Sequence, residues 1–339
     1  MNDTNPSTAS HLIFGAGLIG GFMAGSFSAS GLCVSVLARE KYRSRFAGEL
    51  VVTDYTDQRL SAKDIAFFTQ ASEIGQHFDF IWITVKSTGL EQVIKDIDLL
   101  VDSDSVLISC QNGLGSEKRL KAKFPNHRVL RAIMQSNVAD IGDAHLHRGS
   151  QGVFEVESFS LANQSLAQLV NSVVLPARSV ENIESSVWAK LQLNLANAVN
   201  ALADIPVREM LSDRSYRKII AQAMRELIAV SDHKRIDLAK ISAVPMKYVP
   251  TILDLPNWLF EIVGRSMLKV DPSVRTSMWW DLHNGRLTEI DYLNGALVEE
   301  AKRLGVPCLM NQKIVDLVHQ VEESGRHTGL PAEAFCVRS

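Results

Sequence analysis

Two short patterns carry residues whose types and spacing could do chemistry. The first is Trp188-Ala189-Lys190-Leu191-Gln192-Leu193-Asn194-Leu195-Ala196-Asn197. On a helix, Lys190, Asn194 and Asn197 fall at i, i+4 and i+7, a single polar stripe. Leu191, Leu193, Leu195 and Ala196 surround it. A lone lysine there would be a snorkelling surface residue. One lysine with two asparagines is better explained as the lining of a polar cleft. The second pattern is Gly15-Ala16-Gly17-Leu18-Ile19-Gly20, directly after an expected strand (His11–Phe14) and opening an expected helix (Gly20–Ser30). Gly15 permits a tight turn, Gly17 lets the backbone approach a pyrophosphate, and Gly20 allows close helix–strand packing. All six positions are expected to hold a dinucleotide; a purely structural turn is the alternative.

The end of the second strand, Cys33–Leu37, speaks to which dinucleotide. A site for NAD usually puts an acid at that tip. Here Ala38-Arg39 follows, with Lys41, Arg43 and Arg45 close behind. A guanidinium suits a 2′-phosphate, so Arg39 favours NADPH over NADH. An exposed basic loop is the bland alternative. Lys86, closing the buried run Phe78–Val85, and Asn112, in Gln111-Asn112-Gly113 after Ser105–Ser109, stand at strand C-termini. Those ends face the ligand crevice of a doubly wound sheet. A solvated lysine cap and a plain Asn-Gly turn are the competing readings.

The elements that must position these residues alternate in the first half. Expected strands lie at His11–Phe14, Cys33–Leu37, Phe78–Val85, Ser105–Ser109 and Val129–Met134, with a helix over Glu91–Leu100. That order argues a parallel sheet covered on both faces. His145–Phe159 reads as an antiparallel ending to it. Helical patterns then run through Trp188–Leu202, Tyr216–Val230, Asp254–Met267, Thr288–Leu304 and Asn311–Glu323, with Pro245, Pro250, Pro256 and Pro272 as boundaries. The expected architecture is an α/β Rossmann-type N-terminal domain (1–180) plus an all-α C-terminal domain (181–339).

Composition excludes several classes. Thirty-five basic against 38 acidic residues leave a net charge of −3, with no basic face for nucleic acid. Cys33, Cys110, Cys308 and Cys336 form no CxxC pair, which excludes a cysteine zinc site and a disulfide scaffold. His145 and His147 alternate without a third ligand, so no metal is expected. Leu12–Ala38 carries no charge but holds six glycines, which suits strand, turn and helix better than a membrane span. The segment 1–10 lacks a basic n-region. A cytoplasmic protein is expected, with a homodimer possible.

A further string, Ser277-Met278-Trp279-Trp280-Asp281, precedes Thr288-Glu289-Ile290-Asp291. Thr288 could cap the next helix, and Glu289 or Asp291 would suit its dipole. That explains one acid, not the string. Taken in order, the glycine loop, Val85-Lys86, Gln111-Asn112-Gly113, Trp188-x-Lys190-Leu191-x-x-Asn194, Ser277-Met278-x-x-Asp281 and Thr288-Glu289-Ile290-Asp291-x-x-Asn294-Gly295 resemble the ketopantoate reductase (2-dehydropantoate 2-reductase) family over nearly the whole chain. Gly305-Val306-Pro307 and Thr328-Gly329-Leu330-Pro331 look like its ending. The resemblance implies a Rossmann domain joined to a helical substrate and dimerisation domain, with the active site between them. It implies that NADPH reduces a small 2-oxo acid, ketopantoate, to pantoate. It makes Lys190 the general acid and Glu289 a substrate-contacting carboxylate. Asn112 falls near the nicotinamide and the substrate, Asn194, Asn197 and Ser277 fall at the substrate, and Arg39 and Lys86 at the cofactor. Burial of Lys190 in an apolar helix face would lower its pKa toward working pH.

The chain departs from the family at the substrate end. Ala198 stands at the second asparagine position, Val199 replaces a proline, and Met134-Gln135-Ser136-Asn137 replaces a threonine-rich stretch. Reduction of another 2-oxo acid is therefore one alternative, and a non-catalytic NADP(H) sensor another.

Overall fold

The uncharged run from Leu12 onward folds as strand β1 (Ser10–Phe14), helix α1 (Leu18–Ala29) and strand β2 (Cys33–Leu37). The computed structural model describes residues 8–46, 48–63, 65–161, 164–269, 271–325, 327 and 329–337. Thr328 of the expected family ending lies outside them. Two compact units emerge: residues 1–111 with 115–183, and residues 112–114 with 184–339.

In the first unit α2 (Glu40–Phe46), β3 (Leu50–Asp54), β4 (Arg59–Ala62), β5 (Ala66–Phe68), β6 (Phe80–Ile83), α3 (Leu90–Ile97), β7 (Val106–Ser109), α4 (Ser116–Lys123) and β8 (Arg128–Met134) follow β2. Then come β9 (Val138–Gly142), β10 (His145–Arg148), β11 (Phe154–Glu157), the short pair β12 (Ser160–Leu161) and β13 (Gln164–Ser165), α5 (Leu166–Leu169) and β14 (Ala177–Val180). Among the described residues the largest sheet has eight strands in the order β14-β11-β8-β7-β6-β1-β2-β5. β8 through β5 run parallel, and β11 pairs antiparallel with β8. β6 is buried at every position, as an apolar run covered on both faces must be.

The sequence expectation for His145–Phe159 divides here. Phe154–Glu157 does join the large sheet antiparallel to β8, with β14 parallel beyond it at the edge. His145–Arg148 instead joins a second sheet, β4-β3-β10-β9, which the short, half-polar β3 and β4 did not announce. That sheet explains the glycines of α1. A Cβ at Gly25 would come within 2.7 Å of Val52, and one at Gly21 within 2.8 Å of Leu146. On its other side Phe27 meets Trp82 of the large sheet edge-on at 5.3 Å. The second sheet is pinned by a buried pair: Arg148 Nη2 donates to Asp54 Oδ2 at 2.7 Å, and the guanidinium also donates to the carbonyls of Val174, Ser150 and Gly152.

The second unit is helical: α6 (Ile183–Ala203), α7 (Val207–Ser212), α8 (Arg214–His233), α9 (Val249–Leu253), α10 (Asn257–Val263), α11 (Ser277–His283), α12 (Asn294–Leu304) and α13 (Leu309–Ser324). Its core joins Leu195, Leu202, Leu227, Leu297 and Val318, all without solvent exposure. Two expected spans shorten. Asp254–Met267 holds only α10, because Pro256 caps its start and Phe260 crowds Gly264 at its end. Thr288–Leu304 begins with a single 3₁₀ turn, Ile290–Tyr292, and α12 starts at Asn294. α7 and α11 are too short to show a helical period in the sequence. Among the described residues no helix is long and apolar enough to cross a membrane.

His11 on β1 is fully buried. It accepts the Trp82 indole N–H at its Nδ1 (3.1 Å) and stacks on Phe80 at 5.1 Å. Burial lowers its pKa from 6.5 to about 4, against the opposing charge of Asp79. The unfolded chain therefore binds the extra proton first as pH falls. Stability is expected to drop between pH 6.5 and pH 4, by about 3 kcal/mol in total from this one group. His11→Gln, which keeps an acceptor for Trp82, should flatten that part of the pH–stability curve in chemical denaturation. An unchanged slope would refute the assignment.

Candidate functional site

The glycine turn is built by exclusion of side chains. Gly15 has φ +106°, and a Cβ on it would lie 2.8 Å from Val85 Cγ1. A Cβ on Gly20 would lie 2.0 Å from the Gly15 carbonyl oxygen and 2.3 Å from Thr84 Oγ1. Thr84 locks this crossing by donating to the carbonyls of Gly15 (2.8 Å) and Phe14 (3.1 Å). Gly17 differs, because a Cβ there meets nothing within 4 Å. Gly17 is also the N-cap of α1, offers no capping side chain, and no acid occupies the first turn. The positive end of the helix therefore has no negative partner of its own. A phosphate fits that cradle.

Beside it lies a pocket of about 310 Å³ lined by Ala16, Gly17, Leu18, Lys41, Tyr42, Arg45, Phe46, Asp140 and Leu146. The basic loop seen in the sequence thus contributes Lys41 and Arg45 to the pocket wall. Arg39 stands exposed at the β2 tip, its guanidinium 5.8 Å from the Tyr42 ring. Leu18 is largely exposed and Ile19 half-buried. Lys86 is exposed where β6 has ended, at the N-cap of the turn Ser87–Gly89. The next strand end is held by a residue the sequence reading passed over. Buried Arg131 donates to the Gln111 carbonyl (2.8 Å), to Ser116 Oγ (2.8 Å) and to Glu117 (2.5 Å). An arginine inside an apolar strand was the available signal.

In the helical unit, α6 carries Lys190, Asn194 and Asn197 as the spacing predicts. Asn194 is buried, and Lys190 and Asn197 are half-buried. Burial alone lowers the Lys190 pKa from 10.5 to about 8. Ala198 and Val199 are fully buried, so neither offers anything to a ligand. Asn200, also fully buried, anchors the next segment: its Oδ1 accepts the Thr276 N–H at 3.1 Å. Thr276 Oγ1 donates to the Asn197 carbonyl at 3.2 Å and caps α11. Ser277, the first residue of α11, is thereby set beside the C-terminal half of α6, with its own side chain exposed. Asp204 completes the brace by accepting the Trp279 indole N–H at 2.6 Å. Trp279 is thus core, while Trp280 is half-exposed.

Glu289 is half-buried just before the 3₁₀ turn. Thr288 Oγ1 accepts the Ile290 N–H at 3.2 Å, at the entry to that turn and not at the start of α12. Glu322 of α13 accepts the Thr288 N–H at 2.7 Å. Asn112 is brought to the same place. The Leu114 N–H donates to the Tyr292 carbonyl at 3.0 Å, and a Cβ on Gly113 (φ +81°) would strike that oxygen at 2.0 Å. Among the described residues no group of three His, Cys, Asp or Glu gathers as for a metal. His145 and His147 both lie against Thr53 Oγ1, at 2.8 and 2.9 Å.

Comparison with known proteins agrees on both halves of the chain. The family model for ketopantoate reductase PanE/ApbA matches residues 11–160, and the one for the C-terminal part of the same family matches 182–322. A 2-dehydropantoate 2-reductase of Archaeoglobus fulgidus is 26% identical over 318 residues, 91% of this chain and 97% of that protein. Among solved structures, a PanE/ApbA family ketopantoate reductase from Ralstonia eutropha JMP134 superposes with TM-score 0.76 at 23% identity, covering 94% of this chain and 100% of the other. A D-mandelate dehydrogenase solved with NADH and anilino(oxo)acetate gives TM-score 0.75 at 22% identity, covering 93% and 99%. At these identities the structural likeness shows the fold.

The two inner glycines of the turn should separate cleanly. Gly20→Ala is expected to cost about 3 kcal/mol or more, because the clash is with backbone. Gly17→Ala should leave the melting temperature within a few degrees yet weaken dinucleotide binding at least tenfold, because its space is open. Thermal melts and nucleotide titrations of both variants check this. Equal destabilisation would show that Gly17 is merely structural.

Proposed function

The chain belongs to the ketopantoate reductase family, and from that membership we propose that it is an NADPH-dependent reductase that converts 2-dehydropantoate to pantoate. The observation that carries the reading is Lys190: an amine whose pKa burial has brought to about 8, on the same helical stripe as two asparagine amides. A proton donor works best with a pKa near operating pH.

In this reading the first unit holds the dinucleotide. Gly15–Gly20 cradle the pyrophosphate at the α1 N-terminus, and Arg39, Lys41 and Lys86 are the cations available to its phosphates. When bound, the reduced nicotinamide supplies hydride to the carbonyl carbon of the 2-oxo acid. The second unit supplies the rest. Lys190 Nζ donates a proton to the carbonyl oxygen as negative charge grows there, leaving a secondary alcohol and a neutral amine. Asn194, Asn197 and Ser277 donate hydrogen bonds to the substrate's oxygens. Glu289 accepts from a substrate hydroxyl or orients the lysine, and Asn112 stands near the carbonyl. Thr276 and Asn200 act through Ser277 as positioning residues.

A second reading keeps the chemistry and changes the acid. Ala198 and Val199 lie without exposure where the family pattern has Asn-Pro, which removes one polar contact from the substrate end. A structural neighbour of this fold is a D-mandelate dehydrogenase. Another 2-oxo acid, and NADH, therefore belong in the assay.

The test follows nicotinamide absorbance with 2-dehydropantoate and a panel of 2-oxo acids, each with NADPH and NADH. Turnover on 2-dehydropantoate above all others supports the first reading, and preference for another acid the second. No oxidation on any acid would refute both. Lys190→Ala should lower kcat by about 10²–10⁴-fold. Because the lysine must be protonated to act, the wild-type rate should be level below its pKa and fall as pH rises through about 8. A rate that climbs through that range would exclude Lys190 as the acid.

A further inference from the structure

The dinucleotide pocket contains a carboxylate that a phosphate-binding wall does not require. Asp140, on β9 of the second sheet, lines it beside Lys41 and Arg45 of α2. The two oxygens of Asp140 meet both terminal nitrogens of Arg45, Nη2 on Oδ1 and Nη1 on Oδ2. This is the forked geometry with which a guanidinium also grips a phosphate. Asp140 is itself fixed, because its Oδ1 accepts the Gly142 N–H at 3.0 Å. Arg45 is laid along its neighbour, the guanidinium carbon 5.5 Å from the Phe46 ring. Lys41 is held otherwise, its ammonium 4.8 Å from the Tyr42 ring, with no carboxylate partner among the described residues. Arg43, the remaining cation of α2, pairs with Glu40 at 3.8 Å and does not line the pocket.

We propose that Asp140 is a specificity-determining residue of the cofactor pocket: it occupies the fork of Arg45 and adds a negative charge to the wall, so that Lys41 and Arg39 are the cations left to read a 2′-phosphate. This rests on the dinucleotide reading above. Asp140 thereby sets the preference for NADPH over NADH below what the basic loop would otherwise give. NADH lacks that phosphate, so its affinity depends less on the pair.

Equilibrium titration of the purified chain with NADPH and with NADH, read by nucleotide fluorescence and without turnover, tests it. Asp140→Asn should tighten NADPH about three- to fivefold, the scale of one part-exposed charge interaction, with NADH changed less than twofold. Arg45→Ala alone should weaken NADPH about two- to threefold, because the Asp140 carboxylate then stands without its counter-ion beside the phosphate. The double variant Asp140→Asn/Arg45→Ala should lose the gain. Asp140→Ser, which keeps an acceptor for Gly142, repeats the contrast, and thermal melts verify that each variant folds. If Asp140→Asn and Asp140→Ser leave NADPH affinity within twofold of wild type, or weaken it, Asp140 is not a counter-ion against the phosphate and the proposal fails while the dinucleotide reading stands. If neither nucleotide binds the wild-type chain, that reading fails and takes the proposal with it.

Discussion

A contact that one methyl group would forbid governs the N-terminal unit. The Gly15 carbonyl and the Thr84 hydroxyl occupy the space where a side chain on Gly20 would begin. That approach brings α1 down onto β1 and β6, and it turns the first helical N–H groups outward with no side chain to satisfy them. Glycines further along α1 serve a different neighbour, the second sheet, whose Val52 and Leu146 press against Gly25 and Gly21. One helix is thus gripped from two sides, with its N-terminal end left toward the pocket.

The helical unit solves a different problem, keeping a charged group where water is scarce. Lys190 sits on a helix whose other faces are committed to the core, and this lowers its affinity for a proton. Desolvation of an ammonium is costly, and the cost appears as a lowered pKa. The surrounding structure is arranged to hold that site steady. Asn200 and Asn197 fix Thr276 at the head of α11, and Glu322 and the Leu114 N–H hold the turn beside Glu289 from either side.

Much of this was legible in the sequence, and the reasons differ from place to place. β6 and β7 stood out because fully buried strands read as near-continuous apolar runs. The stripe Lys190–Asn194–Asn197 stood out because its period is helical and its surroundings are apolar. β3, β4 and β9 did not, because each is short and carries polar residues, and the pairing of β3 with β10 that joins them in one sheet is made only by the fold. The braces were invisible for the same reason: Asn200 to Thr276 and Glu322 to Thr288 are pairings that only the tertiary fold creates. The sequence singled out Arg39 at the strand tip and left Lys41, Arg43 and Arg45 alike behind it. Only the fold distinguishes Lys41 and Arg45, which line the pocket, from Arg43, which pairs with Glu40.

The pair Asp54–Arg148 has a bearing on how this fold can diverge. Both groups are nearly without exposure, and each has further partners: three carbonyls for the guanidinium, and the N–H groups of Thr56 and Gln58 for the carboxylate. Losing either partner alone strands a charge inside the protein, at about 3–5 kcal/mol, whereas losing both to apolar residues of similar volume can be nearly neutral. Single-step descent through either intermediate is therefore closed to a marginally stable chain. The two positions, 94 residues apart, behave as one heritable character, and lineages of this fold should carry both or neither.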